Sequence, residues 1–147
     1  MVERKGEQKR LKNQYKHYDM VLKERMAREI GAFLVTLFNK GYMSKSAVKA
    51  DFGIDYKTTA LLCSGAPSCT FGTMRKFAYV IAYYIHLAEV KAEGIKYKVD
   101  RDAEIANVHH ERNSFIALYG IQASCVLDMA DKNKDLRQVV RQDLTIS

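Results

Sequence analysis

Residues 43–78 read MSKSAVKADFGIDYKTTALLCSGAPSCTFGTMRKFA, and three helical units follow one another within them. Ser44 to Phe52 reads as a short helix with Ser44 as its N-cap and Gly53 as its stop, because a serine oxygen satisfies a free first-turn N–H and glycine tolerates the left-handed end of a helix. Asp55 to Ser64 reads as a second short helix, capped by Asp55 and stopped by Gly65. Thr70 or Thr73 then starts a long helix that runs to about Glu93. The corner between the first two is Phe52-Gly53-Ile54-Asp55. Gly53 takes a positive φ without a steric penalty, and Ile54 is the apolar residue that pins the turn. Val48, Phe52, Ile54, Thr59 and Leu62 share a face toward a common core. Tyr56, Lys57, Ala60, Leu61 and Ser64 point away from it. Two short helices joined by a tight glycine turn predict a helix-turn-helix.

Upstream, Val21, Leu22, Met26, Ile30, Phe33, Leu34 and Leu37 recur at three- and four-residue steps, which predicts a helix over 19–39 with Asp19 as its N-cap. Asn39-Lys40-Gly41 closes it. Residues 3–18 are polar and basic, with Arg4, Lys5, Lys9, Arg10, Lys12 and Lys16 interleaved by Tyr15 and Tyr18. They read either as a solvated arm or helix extension, or as an arm lying along phosphates, whose contribution fades with salt.

Downstream, the long helix presents Phe71, Met74, Phe77, Ala78, Ile81, Ile85 and Leu87 as its core face and ends at Gly94. Ile95 to Val99 alternates in polarity but has no partner strand in view, and reads as an extended connector. Helical spacing returns over 102–129, with Ile105, Val108, Phe115, Leu118, Tyr119, Gln122, Val126 and Met129, weakened or interrupted at Gly120. A last short helix spans 134–142 with Leu136, Val139 and Val140. The expected architecture is all-α. A basic arm or helix extension (1–18) precedes a helix-turn-helix domain of four to five helices (19–94), and a C-terminal helical segment (95–147) follows for packing or dimerisation.

The middle segment resembles the lambda-repressor-like (XRE/Cro-type) helix-turn-helix family. Met43, Ser44, Lys45, Val48, Phe52, Gly53, Ile54 and Asp55 fall on the family's pattern without a gap. Leu62, Gly65, Thr70, Phe71, Met74, Phe77 and Ala78 continue it, so the resemblance covers about residues 20–85. Lys49 stands where the family usually buries a small alanine, Cys63 replaces a frequent glutamate and Lys45 a frequent glutamine. The resemblance implies double-stranded DNA as partner, with the helix Asp55–Ser64 in the major groove. Tyr56, Lys57 and Thr58 then lie where base contacts concentrate, and Ala60 and Leu61 further along the same face. Ser44, Lys45, Ser68 and Thr73 lie where phosphates are held. Ala60 and Leu61 read few hydrogen-bonding edges. This favours an alternative in which the same scaffold docks on a host protein as an interaction or inhibitor module.

The charge distribution agrees with a polyanion-facing front. Residues 1–28 hold nine Lys/Arg against four Asp/Glu (+5), residues 29–98 nine against five (+4), and residues 99–147 six against eight (−2). The apolar stripe of the acidic rear suits either a homodimer contact through the C-terminal helices or packing on the front domain.

Cys63, Cys69 and Cys125 are too few and too odd in number for a disulfide framework. The charged N-terminus lacks a signal core, and the apolar-rich stretch from Phe77 to Val90 is interrupted by His86 and Glu89, short of the roughly 18 residues of a membrane span. A cytoplasmic protein of phage or bacterial type with no membrane partner is expected. His109, His110 and Cys125 lack zinc-ligand spacing. The run 131–135 imitates the start of a calcium loop, but Leu136 replaces its glycine and Gln142 its closing glutamate. There is no phosphate-cradling loop and no carboxylate cluster. A non-enzymatic regulator without cofactor or metal is the reading that results.

Overall fold

The computed structural model describes residues 2–146, with side chains over 6–143. The arm residues Arg4 and Lys5 therefore lie outside the described side chains. Seven helices and no strand are present among the described residues: α1 (Val2–Asn39), α2 (Lys45–Phe52), α3 (Tyr56–Cys63), α4 (Phe71–Glu93), α5 (Lys98–Tyr119), α6 (Ile121–Asp131) and α7 (Leu136–Ile146). Among these residues no helix is long and apolar enough to cross a membrane.

α1 does not begin at Asp19, which lies in mid-helix. The segment upstream is rich in Lys, Glu, Gln and Arg and has no proline, so nothing in it stops a helix from continuing. Every residue from 6 to Leu22 is exposed, and in this half of α1 Lys16, Asp19 and Met20 approach the body only across a groove lined by Thr70 and Phe71. Val21 and Leu22, expected in the apolar stripe, are 46% and 50% exposed. The buried stripe begins at Ala27 and continues through Ile30, Leu34 and Leu37.

The C-terminal half of α1 is clamped against α3. A Cβ built on Gly31 would sit 2.2 Å from the carbonyl oxygen of Leu62. Only a residue without a side chain permits this backbone approach. Gly31→Ala is expected to lower stability by about 1–3 kcal/mol, because the overpacking outweighs the gain in helix propensity. An unchanged or raised melting temperature would mean that the two helices do not approach so closely.

The helix-turn-helix forms as its residues dictate. Ser44 Oγ accepts the N–H of Ala47 at 3.1 Å, and Asp55 Oδ1 accepts that of Thr58 at 2.8 Å. Gly53 adopts φ 72°, and its N–H closes α2 on the carbonyl of Lys49. Val48, Phe52, Ile54, Thr59 and Leu62 are all buried.

Thr70, not Thr73, caps α4, whose middle forms the centre of the molecule. Met74, Phe77, Ala78, Ile81 and Ile85 are buried as the spacing predicts, but Phe71 and Leu87 are 42% and 43% exposed. Phe71 occupies the first helical position, ahead of the core, and Leu87 lies off the buried arc. Gly120 (φ 64°, ψ −130°) cuts the helix expected over 102–129 into α5 and α6. Both fold back on α4 and bury Val108, Phe115, Ala123, Val126, Leu127 and Ala130. The connector is shorter than expected, since Lys98 and Val99 already belong to α5. The last helix begins at Leu136 rather than 134, the preceding Asn133 being at φ 61°.

α7 returns to the helix-turn-helix. Leu136 and Val140 are buried where it meets α2 and α4. Arg141 donates to the carbonyls of Ala50 and Asp51 at the open end of α2. The acidic rear thus braces the basic front; in the stripe of α5 and α6 Val108, Phe115 and Val126 are buried, and Ile105, Leu118, Tyr119, Gln122 and Met129 are half-buried.

Candidate nucleic-acid interface

The outer side of α3 is open to solvent. Tyr56 is 47% exposed and Leu61 37%, Lys57 and Ser64 are exposed, and Ala60 is half-buried. Asp55 at the helix start is engaged by the Thr58 side chain and by the Thr58 N–H, and these hydrogen bonds, aided by Lys57 and Lys49, keep its carboxyl below the usual carboxylate range. It stays ionised as the cap of α3. Tyr84, whose hydroxyl donates to Asp51 at 2.7 Å, ties α4 to α2 behind this surface.

The expected site residues fall into three groups. Ser44 and Lys45 lie exposed at the start of α2, with the Ser44 oxygen engaged by the cap and 3.2 Å from Ser46 Oγ. Burial pushes the Cys63 thiol pKa up, against the smaller opposing pull of Lys45 nearby. Tyr56, Lys57 and Thr58 form the start of α3. Thr58 and Thr73 meet across a cleft of about 230 Å³ that Gly53, Ile54, Asp55, Lys76 and Phe77 also line. Thr73 Oγ1 lies 3.1 Å from Thr70 Oγ1, so its hydroxyl is part of the α4 cap. Ser68 is exposed in the loop before α4, apart from these groups.

One further lysine belongs to this surface, and two more line a separate groove. Lys49 is exposed, and its Nζ lies 4.9 Å from the centre of the Tyr56 ring, a cation–π contact that joins α2 to α3. Position 49 follows buried Val48, so a turn of about 100° carries its side chain off the buried face. That offset was the available signal. Lys16 and Lys23 on α1 line a second groove with Asp19, Met20, Thr70 and Phe71. Lys9, Lys12, Lys16 and Lys23 fall on one side of α1, the side that continues the body-facing face. Helical spacing along the arm contained this signal.

One other cluster has the composition of a cation site. His86, Glu89 and Asp131 bring ligand atoms within 4.8 Å of one another. Arg112 already bonds Glu89 at 2.9 and 3.1 Å and Asp131 at 3.0 Å, and His86 Nδ1 lies 3.4 Å from Asp131. The guanidinium supplies the positive charge, and the group ties α4, α5 and α6 together. His109, His110 and Cys125 are exposed. A roomier groove of about 530 Å³ lies beyond the end of α1, between Tyr42, Leu87, Lys91 and Glu104. Burial, with Glu104 beside it, pushes the Tyr42 hydroxyl up to about 12.

No protein-family model, no curated protein and no solved structure matches this chain.

Proposed function

We propose that the chain is a non-enzymatic double-stranded DNA-binding regulator of lambda-repressor-like design, with α3 in the major groove and the basic side of α1 along the flanking backbone. The single observation that carries this reading is the geometry at Gly53. The left-handed turn buries Thr59 and Leu62 while leaving Tyr56, Lys57, Leu61 and Ser64 outward. Lys45, Lys49 and Lys57 surround that face, and Asp55 within it is held by its cap. Lys57 suits guanine acceptors or a phosphate, Thr58 a base edge or a thymine methyl, and Ala60 and Leu61 apolar contact with thymine methyls. Such a protein acts by occupying a site, in the cytoplasm of a bacterium or of a phage-infected host.

Binding of a random duplex should be tight at low salt and fall steeply as salt rises, by close to one power of concentration for each phosphate neutralised. A fluorescence-anisotropy titration at several salt concentrations measures this. No binding at the lowest salt, with the helical circular dichroism intact, would remove DNA as the ligand. The second reading, a scaffold that docks on a host protein, is favoured by the exposed Tyr56 and Leu61 and by the weak hydrogen-bonding capacity of α3. It would then take precedence.

A further inference from the structure

The N-terminal half of α1 carries an apolar stripe that no other helix covers among the described residues. Leu11, Tyr15, Tyr18 and Leu22 are 48%, 67%, 69% and 50% exposed. Their 4-3-4 spacing is the seam of a two-helix coiled coil. The stripe lies roughly 110° around the helix from the side that packs on the body, so it does not extend the core-facing stripe. The exposed stretch from residue 6 to Leu22 is about 25 Å long at 1.5 Å per residue. A helix of that length that meets the body only along the groove at Thr70 and Phe71 is marginal in water, and its stability comes from burying an apolar face.

We infer that this stripe pairs with the same stripe of a second copy, antiparallel, to form a two-fold dimer. The pairing is self-complementary. With Leu11 of one copy against Leu22 of the other, Tyr15 meets Tyr18 in the next layer, and the two-fold axis repeats both layers. The flanking charges match in this register. Lys12 of one copy lies beside Asp19 of the other, twice, and neither residue makes an ion pair in its own chain among the described residues. A parallel pair would instead set the two basic ends, and the two bodies, side by side.

The antiparallel register has a consequence for the DNA reading, on which this one step rests. Gly65, just beyond α3, docks on Arg28 of α1. Counting from the two-fold axis between residues 16 and 17, the two Arg28 positions lie about 34 Å apart along the paired helices. That is about one turn of B-DNA, the spacing at which helix-turn-helix dimers read two half-sites. The seam is short, so association in the micromolar range is expected.

Sedimentation equilibrium of the full chain at tens of micromolar tests the pairing. The expected mass is that of a dimer. The double variant L11E/Y18E, changed at exposed positions only, should raise the dissociation constant about 100-fold or more and leave the helical spectrum unchanged. K12E and D19K should each weaken the dimer, and K12E/D19K together should restore it. In a Cys125→Ser background, L11C mixed with L22C should give the mixed disulfide. A monomeric wild-type chain, a dimeric L11E/Y18E, or an L11C disulfide with itself would each overturn the proposal. Duplex binding is read separately. If the chain is monomeric but binds duplex, only the dimer fails; if it is dimeric but blind to duplex at low salt, only the DNA reading fails.

Discussion

Reversing two charges, Lys45→Glu with Lys57→Glu, should reduce duplex affinity at low salt by about 100-fold or more and leave the melting temperature nearly unchanged. Both side chains are exposed and make no ion pair among the described residues, so the fold loses little when they change beyond the weak attraction of Lys57 for the Asp55 cap. They stand at the starts of α2 and α3, the two helix ends that face a docked duplex in this reading. Each reversal removes one released counterion and adds one repulsion. The milder pair Lys45→Ala and Lys57→Ala should lower the salt slope by about two, with affinity reduced evenly across sequences. Equal affinity for the reversed protein would take this surface out of contact with the polyanion.

The largest stability effect is expected far from that surface. Glu111 on α5 is 2% exposed, and its carboxylate is paired with Lys40, just past the end of α1. The two are 71 residues apart, so the pair ties the first helix to the rear of the molecule. Lys40→Met leaves a buried carboxylate without its cation. Breaking such a pair from one side typically costs 3–5 kcal/mol; because Lys40 is itself partly in water, about 3 kcal/mol is expected here. For a chain of this size that is a fall in melting temperature of roughly 6–12 °C. Adding Glu111→Leu to Lys40→Met should return most of the loss, since an apolar pair of similar volume carries no desolvation cost. If the single variant melts with the wild type, water reaches Glu111 and the pair is not buried.

Much of the helix-turn-helix was legible because its signals are local. Ser44, Gly53, Asp55 and Gly65 punctuate α2 and α3 within a few residues of what they terminate. The buried set Val48, Phe52, Ile54, Thr59 and Leu62 follows from helical periodicity plus one corner. The outward face of α3 is the complement of that set.

What the sequence hid depends on distant partners or on solvent. Asp19 looked like a cap because the core-facing apolar spacing starts there, but the residues upstream are good helix formers without proline, and α1 extends to Val2. Val21, Leu22, Phe71 and Leu87 have the residue types of a core and the exposure of a surface. Lys49 looked like a substitution at a buried position and instead lies over Tyr56. The return of Arg141 to the end of α2 spans 90 residues, and the burial of Glu111 depends on which helix lies against it. No periodicity encodes either.

The account stands on α3 being the part that enters the groove. Backbone amide chemical shifts, followed by NMR as a random-sequence duplex is added at low salt, test this most directly. The predicted result is a set of large shifts confined to Ser44, Lys45 and residues 55–64, with smaller ones along the basic side of α1. Shifts concentrated on α5 and α6, with α3 unmoved, would contradict it.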